Sequence, residues 1–373
     1  MAGWNLTWTV TGQPTSMAYL LLDTNVNWSG VSLSSYGLTN CRWWLGSGPV
    51  SVPRWLGLAG TAGHSFAIPS SIAYGTHLYG QAGMIAYGAN PAGAVMSELR
   101  VARIGSEPNL SVSEIRDFSP LVRIHPNETY NPMDPMQFIR LSRFRHHRGW
   151  QSDQGYNKVS QSWVTTNSTA AAYYDIPVAF IDSYGLNGDG TNRRPRDSNS
   201  GSTWNVFLQP NGAPTGDATP TGSVPAFYYY RRSGDLHEIQ YWWFSGYNDA
   251  AATFNHQGDW EHVTVHVRHR QIEGVYFAAH NGGTYHPRSQ LRFSGGRPVV
   301  YMARGSHASY SAPGTYNYGT DQAADGGHQW DIRSSLQRLS SQPWRNFAGA
   351  WGEVGTLSTT TGPLGPWHKR TNP

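Results

Sequence analysis

The side chains best suited to chemistry are grouped in residues 255–267, where acids and histidines interrupt the pattern of a half-buried strand. Alternation places Asp259 and Glu261 on the same face as the valines that follow, about 6–7 Å apart along a strand. Two like charges at the start of an apolar face need a cation or protons to be tolerated. The segment therefore predicts a site for positive charge.

Two more ligand types flank these acids. Asp249 lies in the loop before the strand and His256 stands three residues ahead of Asp259, while residues 238–244 predict a preceding strand. The resulting hairpin would bring the four side chains together. Three carboxylates and one imidazole favour magnesium, calcium or manganese over zinc, and we expect magnesium or calcium. The alternative is a charged hairpin end that is solvated or paired with arginine.

Seven consecutive residues resemble a toxin signature. They are Asn255, His256, Gln257, Gly258, Asp259, Trp260 and Glu261. The necrosis- and ethylene-inducing-peptide-like toxins have GHRHDWE at these places, so Asn255 replaces the first glycine and Gly258 replaces the second histidine. The resemblance implies that a divalent ion is held by His256, Asp259, Glu261 and Asp249.

The Gly-Asp-Trp-Glu form also resembles the vacuolar protein sorting-associated protein 62 family, which we take to be a relative on the same sandwich fold. The resemblance spans roughly residues 112–368, including an entry segment at 118–132. In the toxin family, histidines in comparable segments line the same cleft, which implies ligand-binding roles for His280 and His307 here. Considered alone, each of these histidines is better explained as a hydrogen-bonded structural residue, and the local resemblance makes the two explanations equal.

Composition indicates the fold class. The 373 residues include 42 Gly, 23 Pro, 16 Trp and 21 Tyr, and only 13% are charged, which is the profile of a loop-rich β protein. We predict an all-β chain of two β-sandwich domains, the second larger with a few short helices. Turn signals place a small N-terminal module at 1–105 and the toxin-like sandwich at 106–373.

Several local elements are predicted within the second domain. A helix should begin at Asp134-Pro135 and end in the cationic run 143–148, with a strand at 176–181 and a long surface loop at 186–222. A later glycine-rich segment contains Asp321, Asp325, His328 and Asp331, for which a solvated loop is a simpler interpretation than a second cation site.

Cysteine, charge and targeting signals narrow the function. Cys41 is the only cysteine, which excludes an internal disulfide, and no Lys/Arg run accompanies the net charge of +4, which argues against nucleic acid. The N-terminus has no recognisable signal peptide, and residues 19–22 are too short an apolar run to span a membrane. We expect an extracellular or particle-associated protein.

These observations favour a metal-dependent binding protein of the cytolytic-toxin type. Its partner would be a glycan or an anionic lipid headgroup, with contact to a membrane surface allowed, and Trp260, Trp242 and Tyr247 would flank the sugar. Gly258 removes one histidine of the toxin family, and Cys41 alone cannot form the disulfide usual in that family, so lytic activity on the family's usual membranes is in doubt.

Two other classes remain. One is a metal-dependent hydrolase or lyase acting on polysaccharide or lipid, with His280 or His307 as general acid or base. The other is a structural or adhesive component of a cell surface, virion or injection particle, for which the N-terminal module would suit a homo-oligomer.

Overall fold

A computed structural model describes residues 5–68, 72, 75–105, 108–148, 151–185, 205–250, 253–317 and 320–370. The chain divides into two compact units, Met1–Pro108 and Asn109–Pro373. The sequence places this boundary at 105/106. Most of the secondary structure is strand, so the all-β fold class is confirmed.

The first unit is built from nine strands among its described residues. They are β1 (Asn5–Thr11), β2 (Met17–Asp23), β3 (Val26–Ser32), β4 (Arg42–Leu45), β5 (Val50–Trp55), β6 (Thr61–Ala67), β7 (His77–Ile85), β8 (Ala94–Met96) and β9 (Arg100–Arg103). One sheet has the order β5-β2-β7-β8 with β9 also on β7, and β1 pairs with β6. Between them lies a small core centred on Val10, Ala18, Leu20 and Leu56.

The second unit begins with short helices and an outer group of strands. These elements are α1 (Val112–Asp117), β10 (Leu121–Ile124), α2 (Pro135–Leu141), β11 (Ser142–Arg148), β12 (Gln151–Asn157), β13 (Ser162–Thr165), α3 (Val178–Asp182) and β14 (Asn205–Pro210). Helix α1 starts with the expected cap, because Ser111 and Glu114 satisfy each other's backbone N–H groups.

A run of long strands follows, and then shorter ones. They are β15 (Ala226–Ser233), β16 (Leu236–Asn248), β17 (His256–Arg268), β18 (Gln271–Ala279), β19 (Gly282–Pro287), β20 (Phe293–Ser294), β21 (Arg297–Met302), β22 (Ser309–Tyr310), β23 (Gly314–Tyr316), β24 (Asp321–Ala323), β25 (Gln329–Asp331), β26 (Leu336–Arg338) and β27 (Ala350–Trp351).

One six-stranded sheet has the order β19-β18-β17-β16-β15-β26, and its central strands β16 and β17 are buried on both faces. On one face, Tyr241, Trp243 and the valines of β17 pack against β10 and β21. On the other, Trp242, Phe244 and Trp260 pack against β11 and β14. The second unit is therefore a sandwich of three β layers, and the continuous apolar run of β16 follows from its central position.

Three local predictions were wrong. Helix α2 ends at Leu141, and the cationic run lies in β11, because pairing with β12 and β14 on both sides holds it extended. The segment predicted as a strand at 176–181 contains helix α3, which starts after Pro177. The predicted loop at 186–222 contains strand β14, and its residues 186–204 lie outside the described part.

None of the helices in the described ranges is both long and apolar enough to cross a membrane.

Candidate functional site

The site begins on β17, where the inward face changes from apolar to acidic. Val263 and Val265 are fully buried in the core, and Asp259 and Glu261 continue the same face toward the end of the sheet. Their cross-strand partners on β16 are Ser245 and Trp243. Both carboxylates are almost completely buried, at 6% and 9% exposure. The predicted pairing of two acids at the end of an apolar face is therefore present.

Asp259 is held by a histidine from a distant turn. Its Oδ2 accepts a hydrogen bond from Nδ1 of His307 at 2.8 Å, and Nε2 of His307 donates to the carbonyl of Tyr130 at 2.7 Å. The Glu128 carboxylate lies 3.7 Å from the same Nε2. His307 itself has a φ of +54° and is fully buried. Because both ring nitrogens face acceptors, the imidazole is held as a cation.

The charges in this network reinforce one another. Burial alone would lower the pKa of His307, but hydrogen bonds and charges from Asp259 and Glu128 overcome it and raise the pKa to about 10. Burial likewise acts to raise the pKa of Glu128, but His307 and the backbone N–H groups of Gly305 and Tyr130 lower it to about 2. The site thus contains a permanent internal ion pair at neutral pH.

Glu261 has a different environment. Burial, and then the neighbouring charge of Asp259, raise the pKa of Glu261 well above its usual range, and the charge of Asp321 acts in the same direction. The charges of Lys369 and His307 oppose this shift without cancelling it, so Glu261 holds a proton more strongly than an ordinary glutamate. The hydroxyl of Ser245 beside Asp259 is buried and has no hydrogen-bond partner among the described residues.

A second acid–histidine pair lies at the same end of the sandwich. Asp321 is fully buried, and its Oδ2 accepts hydrogen bonds from Tyr310 at 2.5 Å and from His280 Nε2 at 2.7 Å. The hydrogen bond with Asp321 raises the pKa of His280 against the opposing effect of burial. The His280 side chain is 37% exposed, so it connects a buried carboxylate with solvent. The ring of Tyr310 stacks on Tyr316 at 3.9 Å.

Two of the four predicted metal ligands are engaged elsewhere. Asn248 Nδ2 donates to Nε2 of His256 at 2.9 Å, and Nδ1 of His256 donates to the Gly258 carbonyl at 2.8 Å. Asp249 is exposed and accepts a hydrogen bond from Asn255. In the part of the chain that is described, no three His, Cys, Asp or Glu side chains form a group that could hold a metal ion. Asp259 and Glu261 fit a hard cation by their chemistry, whereas His256 and Asp249 do not fit in this conformation.

The aromatic residues expected to flank a sugar separate into two groups. Trp242 and Trp260 are buried, at 1% and 3% exposure, within the core on the far face of the central sheet. Neither indole ring faces the acidic side, because alternation along β16 and β17 turns them to the opposite face. Tyr247 is half-buried, and its ring lies 4.8 Å from that of Tyr130. Tyr247 and Tyr130 therefore remain the aromatic candidates near His307.

The glycine that replaces the second histidine of the toxin signature has a structural cause. Gly258 has a φ of +66°, and a Cβ there would overlap the backbone carbonyl of Trp351. Only glycine allows strand β17 and the segment around β27 to approach this closely. The departure from the signature thus follows from the packing of this chain.

The sequence did not indicate Glu128 or Tyr310 as site residues. It grouped Asp321 with other residues of the segment 321–331, whereas the structure pairs Asp321 with His280. The four-residue set at 321–331 is dispersed, since Asp331 pairs with Arg297, His328 donates to the Pro220 carbonyl and Asp325 lies near Arg292. A signal for Glu128 existed, because the entry segment 118–132 resembles a family pattern that includes this glutamate. Its contact with His307 spans 179 positions along the chain and was not predictable from either segment alone.

One family model matches the part of the chain that contains most of these residues. The family model described as Vacuolar protein sorting-associated protein 62 matches residues 250–350. The chain resembles that family. The protein of this name from Saccharomyces cerevisiae (strain ATCC 204508 / S288c) is 23% identical over 286 residues, covering 64% of this chain and 58% of the relative. The chain thus spans little more than half of that relative's length. The region matched to the family contains Asp259, Glu261, His280 and His307.

Solved toxin structures are also similar. Necrosis and Ethylene inducing Protein 2 from the causal agent of cocoa's Witches Broom disease is 14% identical, with a TM-score of 0.28 and coverage of 64% of this chain and 77% of that chain. NLPPya in complex with glucosamine is 13% identical, with a TM-score of 0.30 and coverage of 65% and 81%. At these TM-scores, no conclusion about the ligand of this chain follows from the likeness.

Proposed function

We propose that the second unit is a binding module whose acidic site takes a divalent cation together with a hydroxyl-rich ligand, a glycan or glycolipid headgroup. The observation that carries the proposal is the buried pair of Asp259 and Glu261 on one face of β17, where burial and the charge of Asp259 raise the pKa of Glu261. A buried carboxyl whose pKa is raised in this way is a place where a cation can replace a proton.

The donor atoms favour a hard ion. Carboxylate oxygens suit magnesium or calcium, and such ions keep exchangeable positions at which ligand hydroxyls replace water. Asp259 and Glu261 would hold the ion, while His307 fixes the orientation of the Asp259 carboxylate through its 2.8 Å hydrogen bond. Tyr130, Tyr247 and the half-exposed His280 are the side chains available to contact the ligand itself.

Calorimetry with magnesium and with calcium tests the cation step on the whole chain. We expect E261Q to lower the affinity more than about tenfold, since a neutral amide cannot replace a carboxylate ligand. The matched control is E238Q, because Glu238 is also a mostly buried carboxylate of the central sheet but pairs with Arg231. Absence of cation binding by the unmodified chain, or equal binding by E261Q, would refute the cation site.

The ligand class needs its own experiment. Arrays of glycans and of vesicles with glycolipid headgroups should show binding that chelator abolishes and that E261Q lacks. Binding that is insensitive to both chelator and E261Q would place the ligand site elsewhere. Leakage from the vesicles without release of a product would support the toxin-type activity.

One observation favours a second candidate, a hydrolase or lyase. In the pair of buried Asp321 and half-exposed His280, the hydrogen bond raises the pKa of the imidazole and so favours its protonated form, which suits a general acid. Release of product from a polysaccharide or lipid, lost in His280→Asn, would favour the enzyme. Asparagine is the appropriate substitution because residue 280 has a φ of +55°, which asparagine tolerates.

A further inference from the structure

A buried histidine lies on the core-facing side of strand β6 in the first unit. His64 is 1% exposed and sits on β6, between Ala62 and Phe66, which share its face and pack against the core. The fully buried members of that core are Val10, Ala18, Leu20 and Leu56. The neighbours that share its face are therefore apolar or aromatic, and its ring stacks on that of Phe66 at 6.5 Å.

Neither ring nitrogen of His64 has a hydrogen-bond partner among the described residues. Its cross-strand neighbour is Trp8, whose indole N–H also lacks a partner among them. A neutral imidazole tolerates this environment at a moderate cost. An imidazolium would bury a charge with no acceptor, which is far more costly.

The charged groups around this core do not compensate. Strand β1, which pairs with β6, contains no titratable side chain, and β5 contributes Arg54, whose charge opposes protonation. On β2 and β7 the titratable side chains Tyr19, Asp23, His77 and Tyr79 alternate with the core residues and point to the other face. Burial, with a smaller effect of Arg54, lowers the pKa of His64 below its usual value of 6.5.

The buried histidines of the second unit have different surroundings. His237 contacts the hydroxyl of Tyr230 at 2.8 Å, Nδ1 of His125 accepts the backbone N–H of Asn127, and His307 has two acceptors. Burial lowers the pKa of His125 as well, but each of these three rings has at least one polar partner, whereas neither nitrogen of His64 has one among the described residues. A proton added to the His64 ring would have no hydrogen-bond acceptor among the described residues.

We propose that His64 makes the first unit an acid-sensitive module, in which protonation of the buried imidazole opens the packing of residues 5–105 while the second unit keeps its fold. The inference is independent of the function proposed above. It assigns to the first unit a response to acidification, set by one residue in its core.

The direction follows from proton linkage. Above pH 6.5 the imidazole is neutral in both the folded and the open state, so stability is complete. Below pH 6.5 the open state binds a proton that the folded state does not, until the lowered pKa of the folded state is reached. The equilibrium constant for opening rises by up to about tenfold per pH unit in that window.

Hydrogen–deuterium exchange of the whole chain, corrected for the intrinsic pH dependence of exchange, tests the proposal between pH 7.5 and 5. We expect peptides from residues 5–68 and 75–105 to lose protection on acidification while peptides from residues 109–185 keep theirs. His64→Leu should match the unmodified chain at pH 7.5 and lose the acid response. His77→Leu is the control, because His77 lies in the same unit on the face of β7 that is turned away from this core.

An unmodified chain without the acid response, or a His64→Leu chain with the full response, would overturn the proposal. If His64→Leu lacks protection already at pH 7.5, the variant does not test the proposal. An NMR titration of the His64 ring in the unmodified chain then serves as the test. A midpoint below 6.5 that coincides with loss of protection supports the proposal. A midpoint at or above 6.5 overturns it.

Discussion

Glu128 is a buried anion held by three backbone N–H groups and one imidazolium. Its Oε1 accepts from Thr129 and Tyr130, both at 2.8 Å, and its Oε2 accepts from Gly305 at 2.7 Å. Charge-assisted hydrogen bonds of this kind are stronger than neutral ones. Removing one partner of a buried ion pair leaves the other uncompensated, which makes Glu128 a sensitive position.

We predict that E128Q lowers the free energy of unfolding of the second unit by about 3–5 kcal/mol, because it leaves His307 with one anionic partner fewer and turns an amide NH₂ toward backbone donors. E273Q is the control, since Glu273 and Arg268 are each more than a third exposed and such a pair contributes about 0–1 kcal/mol. Urea unfolding, followed through hydrogen exchange of peptides from this unit, measures both. Equal losses in the two variants would contradict the prediction.

The loss of stability of the second unit at acidic pH should depend on Glu128 as well. The pKa of Glu128 is lowered to about 2 from 4.5, so its contribution is complete above pH 4.5 and is lost as the pH falls toward 2. We expect the second unit to lose up to about 3 kcal/mol from this group across that window. E128Q should flatten the decline, and E273Q should not. If the free energy of unfolding of E128Q falls as steeply with pH as that of the unmodified chain, groups other than Glu128 cause the decline.

At the level of single residues, the sequence revealed the acids of β17 but not what binds them. Asp259 and Glu261 were found because a period-two pattern and a short motif are local signals. Glu128 and His307 meet only after the chain has crossed two layers, and no local pattern encodes that contact. The burial of Trp242 and Trp260 was equally hidden, since alternation predicts opposite faces but does not reveal that a third layer covers the second one.

Among the secondary-structure elements, β17 depends on a glycine where it enters the site. Gly258 and Gly234 have nearly the same backbone, with φ of +66° and +61°. A Cβ at Gly258 would meet the Trp351 carbonyl, whereas at Gly234 nothing lies within 4 Å. The two positions therefore separate backbone strain from crowding.

We predict that G234A costs about 1 kcal/mol, from the positive φ alone. G258A should cost about 1–3 kcal/mol more, because β17 and the segment around Trp351 must move apart. Urea midpoints of the second unit give the comparison. Similar costs at the two positions would show that the close approach to Trp351 is relaxed easily.

Local sequence signals predicted the start of helix α2 correctly, but they gave the wrong secondary structure for β11 and α3. Helix α2 was found because Asp134 caps it and Pro135 occupies its first turn, both of which are local signals. The cationic run after it became strand β11 because its partners, β12 and β14, decide its conformation. The segment at 176–181 is apolar enough for a strand, yet Pro177 starts a helix there.

At the scale of the whole molecule, each described core cluster draws its residues from one unit. The first unit has a core of four fully buried side chains, and the second has two larger clusters on the faces of its central sheet. The division of the chain at Pro108/Asn109 follows the same separation.

We predict that residues 109–373 fold alone and keep the candidate site, since every residue placed there lies in that unit. Its circular dichroism spectrum should be that of a folded β protein. Its urea midpoint should match the midpoint at which the second unit unfolds within the whole chain. Cation affinity, where the whole chain shows it, should be unchanged. An aggregated or expanded product would mean that the first unit is needed for the fold of the second.

The central sheet has a consequence for the order of folding. Strands β15 to β19 form an antiparallel meander of sequence neighbours, joined by connections of two to seven residues. The parallel pairings of β10 with β21, β14 with β27 and β15 with β26 instead close loops of more than 100 residues. Because long loops are slower to close, the meander is expected to act as the nucleus on which both outer layers later assemble. Asp259 and Glu261 would then be positioned on β17 before the turn that carries His307 packs against the sheet. His307 would form its ion pair with Asp259 only in that later step.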